Sequence, residues 1–245
     1  MSAASLLGLA SWEVIACVAL AVLGASVQGA MGFGMGMLTS SALKLIDHGF
    51  VPGAILISVI PLSAGVAWRE RARIDWKAFT WSLGGRLPGI VLASVALSSL
   101  SERGLSIAIA SAVLIAVALS LTRLRIQPTN PNLGVAGLAS GFMGTVTSVG
   151  GPPMAIAYQH GDARIRQATL AAYFGVGSVL SVIVLSVGGD LGARQWKLSL
   201  ILLPGVLAGI VLSRWLIRVT EQRLARPLIL AMSTVSALIL LAQQL

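Results

Sequence analysis

Apolar residues run along this chain in long, nearly uninterrupted stretches rather than in strict alternation or in amphipathic stripes. They cover about residues 12–30, 33–46, 50–68, 77–98 and 104–122, and then about 132–147, 151–159, 168–188, 196–216 and 224–244. A charge-free window of about 20 residues is what a helix needs to cross the hydrocarbon of a bilayer. The pattern therefore predicts an all-α integral membrane protein with roughly 8–10 membrane segments. Between the two groups of five lies a polar interval holding Arg123, Arg125, Pro128, Asn130 and Pro131, which is linker chemistry. Residues 1–122 and 132–245 then form an N-terminal and a C-terminal half, joined by 123–131.

Two stretches are not written like spanning helices. In Gly141–Pro153, two glycines at 150 and 151 precede two prolines, which lack backbone donors and fix φ. A helix is expected to break near Gly150 and restart at Pro152. The earlier stretch Gln28, Gly29, Gly32, Phe33, Gly34 and Gly36 repeats the theme. Irregular backbone at membrane depth must be buried in protein or line a cavity, and paired broken segments point to a transporter's binding site.

The halves also match in order, with a period of about 115 to 120 residues. Gly24–Gly29 faces Gly137–Gly141, Asp75-Trp76-Lys77 faces Gln195-Trp196-Lys197, and Pro88–Ala93 faces Pro204–Gly209. Ser101-Glu102-Arg103 faces Thr220–Arg223, in each case a plausible cap at the start of the half's last helix.

Composition agrees with the pattern. Of 245 residues, 56% are hydrophobic and only 10% charged, against about a quarter charged in a soluble domain. The net charge of +9 would suggest nucleic acid in a soluble protein, but here the Lys and Arg residues sit in short loops without a basic stripe or aromatic platform. Their explanation is topology. Placing Arg69, Arg71, Arg73, Lys77, Arg123, Arg125, Arg164, Arg166, Arg214, Arg218, Arg223 and Arg226 on the cytoplasmic side leaves only Lys44, Arg103, Arg194 and Lys197 outside, with Arg86 inside a segment. This split requires residues 132–160 to enter and leave on one side, and residues 12–46 to do the same on the other. Each half then makes three full crossings plus a broken-helix or re-entrant hairpin, the halves are inverted repeats, and both termini lie outside. Residues 1–11 contain no Lys or Arg, so the first apolar run reads as a retained segment rather than a cleaved signal. The six tryptophans fall at segment ends, where they read as interface anchors.

Chemistry is sparse. All eight acids fall at segment ends or in loops, which argues against a carrier built on a buried carboxylate relay. Cys17 cannot form an internal disulfide and reads as a small buried hydrophobe. His48 and His160 lie at loops and read as solvated. There is no His/Cys metal cluster and no nucleophile with a base, so neither a metal, a cofactor nor an enzyme activity is expected. Arg86 lies about ten residues, or roughly 15 Å, into a helix that begins near Trp76. It is either an anion ligand or an arginine that snorkels or satisfies carbonyls freed near Pro88. Its counterpart in the other half is near Leu202, so the site would be asymmetric. With Gln28, Thr145, Thr147, Ser148 and the amides of Gly32, Gly34, Gly150 and Gly151, it makes a donor set for an anion. Glycines permitting close helix crossing are the competing reading.

Gln28-Gly29 with Gly32-Phe33-Gly34, and Thr147-Ser148-Val149-Gly150-Gly151-Pro152-Pro153, resemble the paired signatures of the TauE/SafE sulfite-exporter family. The resemblance covers essentially the whole chain. It implies a multi-pass transporter of the bacterial inner membrane that exports sulfite, organosulfonates or related sulfur-containing anions. Together with the residue reading above, the expected anion-binding set is Gln28, Gly32, Phe33, Gly34, Arg86, Thr147, Ser148, Gly150, Gly151 and Pro152. The partners expected are that anion and the lipid bilayer, without nucleic acid, and homo-oligomerisation stays open. An anion channel and a non-transporting membrane assembly protein are the alternatives.

Overall fold

In the computed structural model, residues 8–121, 126–158, 162–219 and 225–244 are described, the side chains of 216–219 and 225–229 excepted. Five helices precede the polar interval: α1 (Ser11–Met31), α2 (Met35–Ile46), α3 (Gly53–Arg69), α4 (Trp76–Ser99) and α5 (Glu102–Leu121). Five follow it: α6 (Asn130–Thr147), α7 (Gly151–Ala157), α8 (Ala163–Val187), α9 (Ala193–Val219) and α10 (Ala225–Ala242). No strand occurs among the described residues.

Both expected breaks are present. α1 ends on Gly32 in the left-handed region at φ 89°, and α6 ends on Ser148, also left-handed at φ 62°. Gly34, at φ 127°, opens α2, while α7 opens at Gly151 with Pro152 and Pro153 directly after it. Ser148 is the non-glycine residue with positive φ among the described residues, a conformation whose steric cost glycine at the matching position avoids. The prolines at 61, 88 and 204 leave α3, α4 and α9 unbroken.

Glycines give the register of helix packing. A Cβ on Gly85 would meet Gly134, and one on Gly89 would meet Leu138 and Phe142, so α4 and α6 run parallel. Gly205 lies on Val18 to Val22, Gly209 on Val22 to Ser26, and Ser213 on Gly29, so α1 and α9 also run parallel. The two pairs exchange when the halves are exchanged. α3 packs on α8, and α5 on α10, across the halves.

The helix ends sort onto two faces. Asp47 after α2 pairs with Arg194 at the start of α9, and His48 lies 3.6 Å from Glu102 at the start of α5. At the other face, the Asp75 amide before α4 donates to Thr169 Oγ1 in the first turns of α8 at 3.0 Å. Lys44, Arg103, Arg194 and Lys197 thus belong to one end of the bundle, and Arg69, Arg71, Arg73, Lys77, Arg164 and Arg166 to the other. Arg123 and Arg125, His160 and the cap expected at Thr220 lie outside the described residues.

Helices α1, α5, α8 and the Ala193–Trp215 part of α9 are long and apolar enough to cross a membrane by length and composition. The architecture is that of a multi-pass helical membrane protein. All six tryptophans are exposed, at 48–72%, and α4 and α9 present rows such as Leu87, Val91, Val95 and Leu200, Leu207, Val211 outward. In water these would be unfavourable patches; in lipid they are the solvated face. The hairpin arms are unequal in length. α1 has 21 residues, about 31 Å, while α2 has 12, about 18 Å, and α7 has 7, about 10 Å. α1 has the length of a full crossing and lies along α9 over several turns.

Candidate functional site

The two breaks meet. A Cβ on Gly36 would stand 1.7 Å from the Ser148 carbonyl oxygen, and one on Gly151 would stand 2.9 Å from the Phe33 ring. No side chain fits between α2 and the second break, so glycine at 36 is a requirement of this approach. Beside the junction lies a cavity of about 30 Å³, lined by Gln28, Phe33, Gly34, Gly36, Met37, Ile55, Leu56, Val59, Arg86, Gly144, Ser148, Gly150, Gly151, Phe174 and Ser178. That is room for about two water molecules.

Arg86 is the charged group in this lining. It stands mid-way along α4 and is 1% exposed, so it does not snorkel. Its guanidinium packs over the Tyr173 ring at 4.9 Å and the Phe174 ring at 5.6 Å. Two glycines make the space for it: a Cβ on Gly177 would stand 2.1 Å from Arg86 Nε, and one on Gly141 would stand 2.9 Å from Arg86 Cγ. The rings cover the guanidinium faces, an attractive cation–π arrangement, but they leave its N–H edge unused. Nε and Nη1 are buried without a hydrogen-bond partner.

No carboxylate among the described residues pairs with it. Glu13 accepts from the Ala10 amide, Asp47 pairs with Arg194, and Glu70 with Arg69 and Arg73. Asp75 caps α4, Asp162 caps α8, and Glu102 lies beside His48. These six acids are engaged at helix ends, Asp190 follows the end of α8, and no group of His, Cys, Asp and Glu suited to a metal ion occurs among the described residues.

The neighbouring polar side chains hold the breaks in shape. Gln28 Oε1 accepts from the Met35 amide at 3.1 Å and its Nε2 donates to Ser63 Oγ at 3.3 Å, bracing the start of α2. Ser140 Oγ donates to the Gly150 carbonyl at 2.6 Å. Thr147 Oγ1 donates to the Met143 carbonyl at 2.7 Å and accepts from the Val149 amide at 3.2 Å. Thr145 bonds Ser181 at 2.8 Å. Each break is also tied to the first turn or cap of a helix from the opposite half: Ser148 Oγ donates to the Pro52 carbonyl at 3.1 Å, and Gln167 Nε2 donates to the Gly29 carbonyl.

Of the residues expected from sequence, Gln28, Phe33, Gly34, Arg86, Ser148, Gly150 and Gly151 line the cavity. Gly32 instead packs on Gln167 and Leu170 of α8, Thr147 spends its hydroxyl on the turn, and Pro152 is buried in the first turn of α7. Gly36 was visible as part of the first glycine-rich stretch. Phe174 and Ser178 on α8, and Met37, Ile55, Leu56 and Val59, carry no local signal and reach the site only through packing.

The chemistry available is therefore that of an anion site. One desolvated guanidinium offers three N–H donors on Nε and Nη1, in a lining that also holds Ser178 and Ser148, whose hydroxyl proton goes to the Pro52 carbonyl, with Gly36 and Met37 in a helical first turn whose amides lack intrahelical acceptors. α7, at 7 residues, adds only a two-turn dipole.

The family described as sulfite exporter TauE/SafE matches residues 17–240, nearly the whole chain. Neither the curated proteins nor the solved structures contain a match. With two broken hairpins meeting at a buried arginine in an all-helical membrane fold, this chain belongs to the TauE/SafE sulfite exporter family of membrane transporters.

Proposed function

We propose that this chain is a secondary transporter that carries sulfite, an organosulfonate or a related small sulfur-containing anion outward across the bacterial inner membrane, with both termini on the periplasmic side. The halves 1–122 and 132–245 rock about the cavity. The observation that carries this reading is Arg86: a fully buried guanidinium with Nε and Nη1 unpartnered at a cavity without a described carboxylate. A buried charge is retained only where something pairs with it; no described carboxylate pairs with Arg86, which supports an anion arriving from solution as its partner.

Direction follows from charge. Lys and Arg concentrate at the bundle end that carries Arg69 to Lys77, which supports assigning that end to the cytoplasm. For an anion that crosses without a counter-ion, leaving a negative interior releases about 2.3 kcal/mol per charge per 100 mV. The Ser148–Pro52 bond faces the end that carries Asp47, and the Gln167–Gly29 bond faces the end that carries Asp75. We assign them as the outer and inner gates, which open in turn.

The test is thermal stabilisation of the detergent-purified protein by sulfite, sulfate, thiosulfate, methanesulfonate, thiocarboxylates and chloride, followed by efflux from proteoliposomes. Binding to the folded state at a hundredfold excess over Kd contributes about 2.7 kcal/mol. One or more sulfur-containing anions should stabilise the wild type and not Arg86→Gln. Folded Arg86→Gln with unchanged stabilisation and efflux would remove Arg86 from the site.

A further inference from the structure

We infer that the protein is an anion exchanger: the carrier changes its open side rapidly only with a monovalent anion at Arg86, and so returns carrying a second monoanion, chloride being the simplest. This rests on the transport reading above and adds its coupling. Arg86 is 1% exposed, with Nε and Nη1 buried and unpartnered. Tyr173 and Phe174 cover its faces at 4.9 and 5.6 Å, and an aromatic ring does not complete a guanidinium's in-plane N–H bonds. Nε and Nη1 carry three of a guanidinium's five donors, more than the roughly two waters that fit a cavity of about 30 Å³ can satisfy.

Alternation passes through a state in which both Ser148–Pro52 and Gln167–Gly29 are closed. With an anion bound, that state holds a paired charge. Without one, it holds a bare guanidinium shut away from water on both sides, the arrangement that costs most in a protein interior. The empty carrier therefore crosses this state more slowly than the loaded one, and net efflux waits on a counter-anion. One buried cation neutralises one negative charge, so the exchange is one monoanion for one monoanion and moves no net charge.

Proteoliposomes of the full chain are loaded with ¹⁴C-methanesulfonate or ³⁵S-sulfite in a buffer free of sulfonates. Efflux is followed into chloride, into the unlabelled probe, or into lactobionate, an anion too bulky for the cavity. External chloride or unlabelled probe is expected to raise efflux by roughly tenfold or more over lactobionate, and methanesulfonate–chloride exchange should not change under a potassium diffusion potential set with valinomycin. Equal efflux into lactobionate and chloride, or methanesulfonate efflux that follows the imposed potential, overturns exchange and leaves the transport reading standing. No protein-dependent efflux of either probe under any condition overturns both.

Discussion

Gly177→Ala isolates Arg86's placement without touching its charge. A Cβ at 177 would lie 2.1 Å from Arg86 Nε, 2.4 Å from Cζ and 2.6 Å from Cδ. Ordinary contact begins near 3.4 Å, so the guanidinium must move by roughly 1.3 Å, and Gly141 and Tyr173 block two of its exits. The atoms struck are the far end of a flexible side chain, so the fold survives. Overpacking costs about 1–3 kcal/mol, and replacing a helical glycine by alanine returns about 0.5–1 kcal/mol. The site suffers more. Hydrogen bonds to a charged group contribute about 1.5–3 kcal/mol each, and losing the alignment of one weakens anion binding by about 10- to 100-fold. Anion titrations followed by thermal unfolding read both effects. The matched control is Gly84→Ala, where an added Cβ meets nothing within 4 Å; it should bind normally. A Gly177→Ala protein with wild-type anion affinity would refute the claim that Arg86's position governs binding.

Other substitutions probe the frame around the site. Gly36→Ala sets a Cβ 1.7 Å from a backbone oxygen that cannot step aside; it should lower the unfolding temperature by more than Gly177→Ala, or prevent folded expression, as size-exclusion chromatography would show. Ser148→Ala removes the bond to Pro52 and Gln167→Ala the bond to Gly29, each net about 0.5–1.5 kcal/mol. Membrane-impermeant thiol labelling of a cysteine introduced at Met37 should rise from the outer side in the first variant and from the inner side in the second. Asp162 accepts from the Ile165 and Arg164 amides, which holds its carboxyl below the ordinary value. A depressed folded value stabilises above the unfolded value of about 3.9 and ceases to as pH falls through it. The stability gap between wild type and Asp162→Ala should therefore be present at pH 7 and close in acid.

The hairpin breaks were legible because glycine and proline are local statements about φ and donors: Gly150, Gly151 and Pro152 dictate a break wherever they sit. The five-and-five order was legible from apolar runs, since in lipid a helix need not be amphipathic to be buried. What the sequence did not carry was which small residue serves which neighbour. Gly141 and Gly177 carry no local sign of a partner, and only the crossing of α4, α6 and α8 shows that they make room for Arg86. Gln28 looked like a ligand because an amide is rare in such a run, yet its carbonyl and amino groups are committed to Met35 and Ser63. Thr147 looked like a hydroxyl ligand and is a turn brace, a role open to any threonine four residues after a free carbonyl. The apolar wall of the cavity, Met37, Ile55, Leu56 and Val59, is indistinguishable in sequence from lipid-facing residues of the same type.

The most direct test of the account is a crystal structure with selenite or bromide, located by its anomalous scattering. The account predicts a peak about 2.7–3.2 Å from Arg86 Nε or Nη1 for a selenite oxygen, or slightly farther for bromide, between Ser148 and the start of α2. An ordered anion held elsewhere in the bundle, with Arg86 still unpartnered, would contradict it.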